Sequence, residues 1–349
     1  MVTKGICLKP MADAFYFIYN RITEMERSKN LKRKKRWLKV IVGLFIFLLM
    51  IDIGAGIFFY KLAIERGRKD FLNGNADLEV SAETLEEFTK GDWRDWADAQ
   101  DFEHWEIESF DGLKLRGYFL EAKEPTNKIV VFAHGYLGRG RDMTLFGEYY
   151  YEELGFNIFT ADSRGHGNSE GNYYGFGRHD RLDYVAWIDR IIEELGEDVE
   201  IVLHGLSMGA ATVLMTLGED LPDNVKLAIA DSPYSSVHDL FDYQLGRMFR
   251  LPSFPILPTT GVVTKVKAGY TFKEASTLEQ VKKAKVPILY IHGGDDTFVP
   301  TEMAQLLYEN TKTASEIFIV PGANHGESIV LDREGYLQTM NRFLEKYLD

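Results

Sequence analysis

Short apolar runs recur along the chain from residue 128 onward, and stretches with helical spacing of apolar residues separate them. Each run has the length of a strand buried on both faces, and the stretches between them predict amphipathic helices. The apolar runs lie at 128–134, 156–162, 199–204, 225–231, 286–293 and 316–320. The predicted helices lie at 141–154 and 181–195, after Ser207, after Thr301, and in a closing segment that ends near Leu348. This alternation predicts an α/β fold with a mostly parallel sheet that is covered by helices on both faces.

Two segments depart from the alternation. Residues 104–122 contain two alternating runs around Asp111-Gly112, which predicts a β-hairpin at the leading edge of the sheet. Between Asp231 and Val286 lie more than fifty residues with aromatic residues and prolines but no strong strand pattern. We therefore expect a short helical insertion at about 232–285, which either covers the site as a lid or is simply helical packing.

The apolar run at 40–60 is long enough to cross a membrane. Its 21 residues would extend over about 31 Å as a helix, and a hydrocarbon core is about 30 Å thick. A central Asp such as Asp52 costs about 3 kcal/mol, whereas the fourteen Val, Ile, Leu and Phe residues favour insertion by about 4 to 8 kcal/mol in total. The run therefore predicts one transmembrane helix rather than a cleaved signal peptide, for which it is long. Asp52 is either a tolerated charge or a contact for a partner helix.

Charge is distributed unevenly along the chain. The net charge is −13, but residues 1–39 carry eleven Lys and Arg against three acidic residues, a balance of +8 that leaves −21 for the remainder. An acidic body excludes nucleic acid as a main partner, because phosphate contacts need clustered cations. The positive-inside rule predicts a cytoplasmic segment at 1–39, an anchor at 40–60 and an extracytoplasmic remainder. That remainder is predicted to comprise a polar stalk at 61–100 and a globular domain at 101–349.

The first residues of the chain add two observations. The single cysteine, Cys7, excludes an intrachain disulfide and a cysteine-rich zinc site. Met25 begins a sequence typical of a signal anchor, so we interpret residues 1–24 as a start-site extension.

The sequence G-x-S-x-G at 205–209 predicts a reactive serine. With 31 glycines in the chain, the motif alone is modest support. Its setting is more specific, because it follows the apolar run 199–204 and opens a helical pattern, as a nucleophile elbow requires. At such a turn the hydroxyl of Ser207 projects from the sheet edge.

A nucleophilic serine needs a base, and the base needs an acid that orients it. Among the eight histidines, His325 follows the last strand-like run and is the candidate base. Asp296, after the run 286–293, is the candidate acid, with Asp295 and Asp231 as alternatives. The resulting order along the chain, Ser207 then Asp296 then His325, is that of an α/β-hydrolase triad.

The oxyanion hole requires two N–H donors. One is predicted to be the amide of Met208, which follows the serine, and the other the amide of Tyr136 or, as second choice, of Leu137, in the loop after 128–134. His134 fits that loop better than a role as base, and the remaining histidines are predicted to be structural or to lie on the surface.

Five ordered segments together resemble the α/β-hydrolase superfamily, most closely the serine-aminopeptidase-like, single-pass bacterial hydrolases of Gram-positive type. The segments are AHGYLG, DSRGHGNSEG, HGLSMGA, GGDDTFVP and ANHG. The resemblance covers about 103–349 and implies that Ser207 is the nucleophile, Asp296 the acid and His325 the base. It also implies structural roles for Arg164 and Ser169.

These observations predict a membrane-anchored serine hydrolase that cleaves carboxylic ester or thioester bonds through an acyl-enzyme. The mechanism needs no metal and no organic cofactor, and the predicted partners are a small acyl ester or peptide and the membrane. The alternatives are a cell-surface serine peptidase that acts on short peptides and an inactive binding protein that retains the fold. The oligomeric state is left open.

Overall fold

A computed structural model describes residues 9–69 and 82–348. The chain divides into two compact units, residues 1–55 and 56–349. Helix α1 (Lys9–Phe59) contains the apolar run 40–60 except its last residue, and a wide helical turn (Tyr60–Ile64) follows it. The helical stretch is long and apolar enough to cross a membrane, a criterion that a signal sequence near an N-terminus also meets. Cys7, the first eight residues of the predicted start-site extension and the middle of the predicted stalk lie outside the described residues.

The second unit contains an eight-stranded sheet in the order β1-β2-β4-β3-β5-β6-β7-β8. The first two pairings, β1 with β2 and β2 with β4, are antiparallel, and the other five are parallel. The strands are β1 (Glu103–Glu108), β2 (Lys114–Leu120), β3 (Lys128–Ala133), β4 (Asn157–Ala161), β5 (Glu200–Leu206), β6 (Val225–Asp231), β7 (Ile288–Gly293) and β8 (Ser315–Val320). The mostly parallel sheet and the hairpin at its edge, with Gly112 in the left-handed region at φ +83°, are confirmed.

Helices cover both faces of this sheet, because the parallel strands are apolar on both sides. Along β5, Ile201 and Leu203 belong to one buried cluster, whereas Val202 belongs to the cluster on the opposite face. The helices after α1 are α2 (Ala82–Lys90), α3 (Asp92–Ala99), α4 (Thr144–Glu152), α5 (Asp180–Leu195), α6 (Met208–Thr216), α7 (Val237–Phe249), α8 (Ile256–Ala268), α9 (Thr277–Val281), α10 (Thr301–Asn310), α11 (Ser328–Leu331) and α12 (Arg333–Tyr347). The predicted fold class is confirmed.

The interval 232–285 is helical, as its pattern predicted. Helices α7, α8 and α9 lie in it, and the structure assigns no strand to these residues, all of which are described. The interval leaves the sheet at the carboxyl end of β6 and re-enters it at the amino end of β7, because these two strands are parallel. Its helices contribute Leu240 and Leu257 to a third buried cluster, which also contains Met208 beside the elbow. The insertion therefore lies over the end of the sheet where the predicted site residues are.

The described parts of the predicted stalk pack against the rest of the second unit. Ile64 is fully buried, and the guanidinium of Arg66 donates to the carbonyls of Gly167 and Ser169, both at 2.9 Å. In α3, Trp93 is buried in the cluster on one face of the sheet. Residues 60–69 and 82–99 thus share the core and hydrogen bonds of the globular unit.

Candidate active site

The serine lies on a sharp turn between β5 and α6. Ser207 has φ +56° and ψ −115°, a strained backbone conformation for a residue other than glycine. The turn is closed by glycines: a Cβ on Gly205 would lie 2.3 Å from the carbonyl oxygen of Gly209, and one on Gly209 would lie 1.9 Å from that of Ala133. Only glycine fits either position, so the strand–turn–helix geometry that the motif predicted is present.

The three residues that the sequence predicted as a triad meet at the carboxyl edge of the sheet. The Nε2 atom of His325, in the loop after β8, lies 2.8 Å from the Oγ atom of Ser207. The Nδ1 atom of the same ring lies 2.7 Å from the Oδ2 atom of Asp296, in the loop after β7. Of the two alternative acids, Asp295 is exposed, and Asp231 accepts a hydrogen bond from the Ser232 hydroxyl at 2.9 Å.

The carboxylate of Asp296 is held by four groups. Its Oδ1 atom accepts from the backbone N–H groups of Phe298 at 2.9 Å and Val299 at 2.8 Å. Its Oδ2 atom faces Nε2 of His292 at 3.1 Å as well as the His325 ring. Burial raises the pKa of Asp296, but the charge on His325 and the hydrogen bonds from both histidines outweigh burial, so the pKa is lowered. This carboxyl group is therefore an anion at neutral pH.

The pKa of His325 is shifted the other way. Burial lowers it, but the Asp296 carboxylate, by its charge and its hydrogen bond, outweighs burial, with a further raising effect from the Asp231 charge. Burial also raises the pKa of Asp231 to about 6, against the lowering effects of the Ser232 hydroxyl and of the two nearby histidines. Both carboxyl groups therefore act to raise the pKa of His325, and Asp296 also hydrogen-bonds to its Nδ1 atom.

Two residues that the sequence analysis did not assign to the site support this arrangement. Asn324 accepts, through its side-chain oxygen, from the backbone N–H groups of Thr297 and His325, both at 2.9 Å, and so joins the loop of the base to the loop of the acid. His292 was predicted to be structural or on the surface, and it is fully buried beside Asp296. The sequence offered one indication of these roles, which is closeness to the predicted site residues: His292 precedes Asp296 by four residues, and Asn324 directly precedes His325.

The loop after β3 carries the predicted second oxyanion donor. Nε2 of His134 accepts from the N–H of Ser163 at 3.0 Å, so its Nδ1 carries the proton and donates to the carbonyl of Gly135 at 2.7 Å. A Cβ on Gly135 would lie 3.6 Å from the Cβ of Ser207, which places this loop beside the serine. Tyr136 and Met208 line the same cavity as Ser207. Met208 begins α6, where an N–H group has no carbonyl partner within the helix.

An apolar cavity opens from the serine. It contains about 840 Å³ of space free of atoms, part of it open to solvent, and its lining is almost entirely aliphatic and aromatic. Helix α7 contributes Leu240 and Phe241 to one wall, helix α8 contributes Leu257, and Phe298 lies beside His325. None of the described residues that line the cavity carries a formal charge.

The segment Asp162–Gly171 is structural, as the resemblance implied. The buried guanidinium of Arg164 makes two bonds of 2.7 Å to Asp183 and also pairs with Asp111 at 2.9 Å. The Ser169 hydroxyl donates to the Asp162 carbonyl at 2.6 Å. These bonds hold the turn that follows β4 against the sheet edge.

Solved structures define the class of the protein. The fold is similar to that of the α/β hydrolase GrgF from Penicillium sp. sh18, with a TM-score of 0.55 and 20% identity over 71% of this chain and 99% of GrgF. It is also similar to the esterase Pf2001 of Pyrococcus furiosus, with a TM-score of 0.58 and 25% identity over 72% of this chain and 94% of the esterase. The fold is therefore that of an α/β hydrolase.

Sequence comparisons define the family. The model of the prolyl oligopeptidase family matches residues 144–349. The protein YqkD of Bacillus subtilis (strain 168) is 30% identical over 247 residues, which cover 70% of this chain and 79% of YqkD. The lysophosphatidylserine lipase ABHD12 of Danio rerio is 27% identical over 223 residues, 63% of this chain and 52% of the lipase. The chain belongs to the prolyl oligopeptidase family within the α/β-hydrolase superfamily, and it is a hydrolase-fold enzyme.

Proposed function

We propose that this protein is a serine hydrolase that cleaves carboxylic ester or thioester bonds through an acyl-enzyme on Ser207. The observation that carries the proposal is the continuous hydrogen-bonded line from the Ser207 hydroxyl through the His325 ring to the Asp296 carboxylate, with separations of 2.8 and 2.7 Å. This arrangement has the geometry that an activated serine requires.

In the proposed reaction, Nε2 of His325 takes the proton of Ser207 while Oγ attacks the carbonyl carbon of the substrate. His325 then gives that proton to the leaving alcohol or thiol as the bond to it breaks, and an acyl-enzyme remains. Water attacks the acyl-enzyme with His325 again as base, which releases the acid and restores the hydroxyl. Throughout, the Asp296 carboxylate keeps the proton on Nδ1 and stabilises the imidazolium.

The negative charge on the substrate oxygen needs donors that are already in place. We assign this role to the backbone N–H groups of Met208 and Tyr136. The N-terminus of α6 adds a favourable dipole at the same point. The side chains of these two residues shape the cavity and take no part in proton transfer.

The cavity favours an ester over a peptide substrate. A peptidase that recognises a free amino terminus needs a carboxylate near the nucleophile, and the described lining residues carry no charge. An uncharged acyl group would lose its water shell on entering at little cost. The name of the family model and the acylaminoacyl peptidase of Pyrococcus horikoshii, a structure with a TM-score of 0.54 and 20% identity, support cleavage of short peptides as the second candidate.

We further propose that the apolar run 40–60 anchors the enzyme in the cell membrane, with residues 1–39 in the cytoplasm and the hydrolase unit outside. The seven cations in residues 29–39, directly before the run, support this orientation. If the protein stays in the membrane fraction after an alkaline wash, and added protease cleaves the hydrolase unit in intact cells, both parts of this proposal hold. A fully soluble, shorter mature protein would contradict it.

A fluorophosphonate probe tests the catalytic proposal. The wild-type protein should react with the probe and hydrolyse p-nitrophenyl esters, whereas Ser207→Ala should lose labelling and at least about 10⁴-fold of the turnover. Ser235→Ala is the matched control, because Ser235 is also buried but lies outside the cavity lining. An unlabelled wild-type protein would favour the inactive binding protein, and faster cleavage of aminoacyl anilides than of esters would favour the peptidase.

A further inference from the structure

The N-terminal helix contributes one wall of the cavity that contains the serine. Phe59 is the last residue of α1, and Leu62 and Ala63 lie in the turn that follows. All three line the same cavity as Ser207. Helices α7 and α8 of the insertion also contribute lining residues to this cavity.

Close packing holds this wall in place. Gly56 of α1 approaches α8 so closely that a Cβ on it would lie 2.8 Å from Cγ2 of Thr259. The ring of Phe59 packs edge-to-face against that of Phe249 in α7, with centroids 5.1 Å apart. These contacts join the end of α1 to helices α7 and α8 of the insertion.

The same turn also contacts the loop of the predicted oxyanion donor. The Tyr136 hydroxyl donates a hydrogen bond of 2.7 Å to the carbonyl of Ala63. Tyr60 and Ile64, on the other side of the turn, are buried against the body of the hydrolase unit. The turn is therefore part of the wall of the cavity and does not act as a free linker.

We infer that the cavity accepts a long aliphatic acyl chain, and that Phe59 and Leu62 determine the length of chain it accepts. The inference rests on the proposed function, because the acyl carbon must reach Ser207. Phe59 is within the apolar run 40–60, so the cavity begins where the proposed anchor ends. A lipid-like ester is thus the substrate class that the apolar lining fits, and the lining includes the end of the proposed anchor segment.

The inference predicts a marked dependence of the rate on chain length. Each methylene group that the cavity removes from water raises kcat/KM by up to about fourfold, until the chain fills the available space. The full-length protein in nonionic detergent is assayed with p-nitrophenyl esters from acetate to dodecanoate, each below its own aggregation concentration. The readout is the ratio of kcat/KM for decanoate to that for acetate.

Two variants test whether the side chains of Phe59 and Leu62 determine the accepted chain length. Leu62→Trp fills the cavity and should lower the decanoate-to-acetate ratio at least tenfold, whereas Phe59→Ala widens it and should move the preferred length to a longer chain. Val266→Trp is the matched control, since Val266 lies on α8, is 79% exposed and does not line the cavity. This control should leave the ratio unchanged.

The outcomes separate the inference from the proposed function. If the wild-type protein neither reacts with the fluorophosphonate probe nor cleaves the acetate ester, the proposed function fails. If it does both, the inference is overturned by a flat chain-length profile, or by wall variants that change the ratio no more than Val266→Trp does. If Leu62→Trp does not fold, the direction of the shift in Phe59→Ala decides the question alone.

Discussion

Replacing Asp296 by Asn tests the role of the acid with the smallest change of shape. The backbone N–H groups of Phe298 and Val299 both point at Oδ1, so the Asn carbonyl oxygen must take that position. Its NH₂ group then faces Nδ1 of His325, which in the native site lies 2.7 Å from the carboxylate. Turning the amide round would instead set NH₂ against two backbone donors, so the orientation is determined by the loop.

The magnitude follows from this geometry. To accept from the amide, Nδ1 must lose its proton, so the proton resides on Nε2 and the ring can no longer take the proton of Ser207. Restoring the active tautomer sets two donors against each other, which costs about 1–3 kcal/mol. Losing the charge beside the imidazolium costs about 4 kcal/mol for charges about 4 Å apart at an effective dielectric constant of about 20. Together these effects lower kcat by about 10⁴ to 10⁵, consistent with the effect of this change in other Ser-His-Asp enzymes.

The assay compares the wild-type protein with Asp296→Asn and Asp295→Asn, in a pH range where the wild-type rate does not change with pH. Ester turnover and the rate of fluorophosphonate labelling report on the serine, and thermal unfolding reports on the fold. Asp295→Asn is the matched control, because it makes the same chemical change at the neighbouring, exposed position. We expect Asp296→Asn to remain folded and to lose about 10⁴-fold in turnover, and Asp295→Asn to retain the wild-type rate. A loss smaller than tenfold in Asp296→Asn, or an equal loss in Asp295→Asn, would refute the reasoning.

Two further predictions concern residues near Ser207, His325 and Asp296. The active form of His325 is neutral, and the Asp231 charge raises the pKa of this ring. Asp231→Asn should therefore shift the acidic limb of the kcat/KM profile to lower pH. An acidic limb that stays in place or moves to higher pH would contradict this prediction. In Gly209→Ala, the new Cβ would lie 1.9 Å from the carbonyl oxygen of Ala133, so thermal unfolding should show a large loss of stability. Gly246→Ala, where nothing lies within 4 Å, should instead stabilise α7 by about 0.5–1 kcal/mol; equal effects of the two changes would disprove the steric explanation.

The sheet and the turn that carries the serine could be predicted from the sequence because both depend on local patterns. Runs such as 199–204 are apolar at every position, which indicates a strand covered on both faces, and the parallel order follows from the helices between them. Gly205 and Gly209 beside Ser207 indicate a turn that excludes side chains, and a Cβ at either glycine would overlap the backbone.

Local sequence patterns could not exclude the two alternative acids. Asp295 and Asp296 are adjacent in the same loop, and strand periodicity ends before it, so the sequence analysis named Asp296 first and kept Asp295 and Asp231 as alternatives. The path of the loop decides: it directs Asp296 inward, where the N–H groups of Phe298 and Val299 hold the carboxylate. The supporting roles of His292 and Asn324 arise from contacts between loops and have no periodic signal.

The sequence by itself thus determined the class of fold, the turn at Ser207 and the short set of groups able to activate it, because each is specified by residues close together in the chain. Only the tertiary structure brought Asp296, rather than Asp295 or Asp231, into hydrogen-bond contact with His325, joined the acid and base loops through Asn324, and brought the end of α1 into the wall of the cavity. The physical reason is that these features depend on contacts between segments far apart in sequence. Phe59 reads as part of an apolar run, and it becomes part of a binding cavity only when α7 and α8 pack against it.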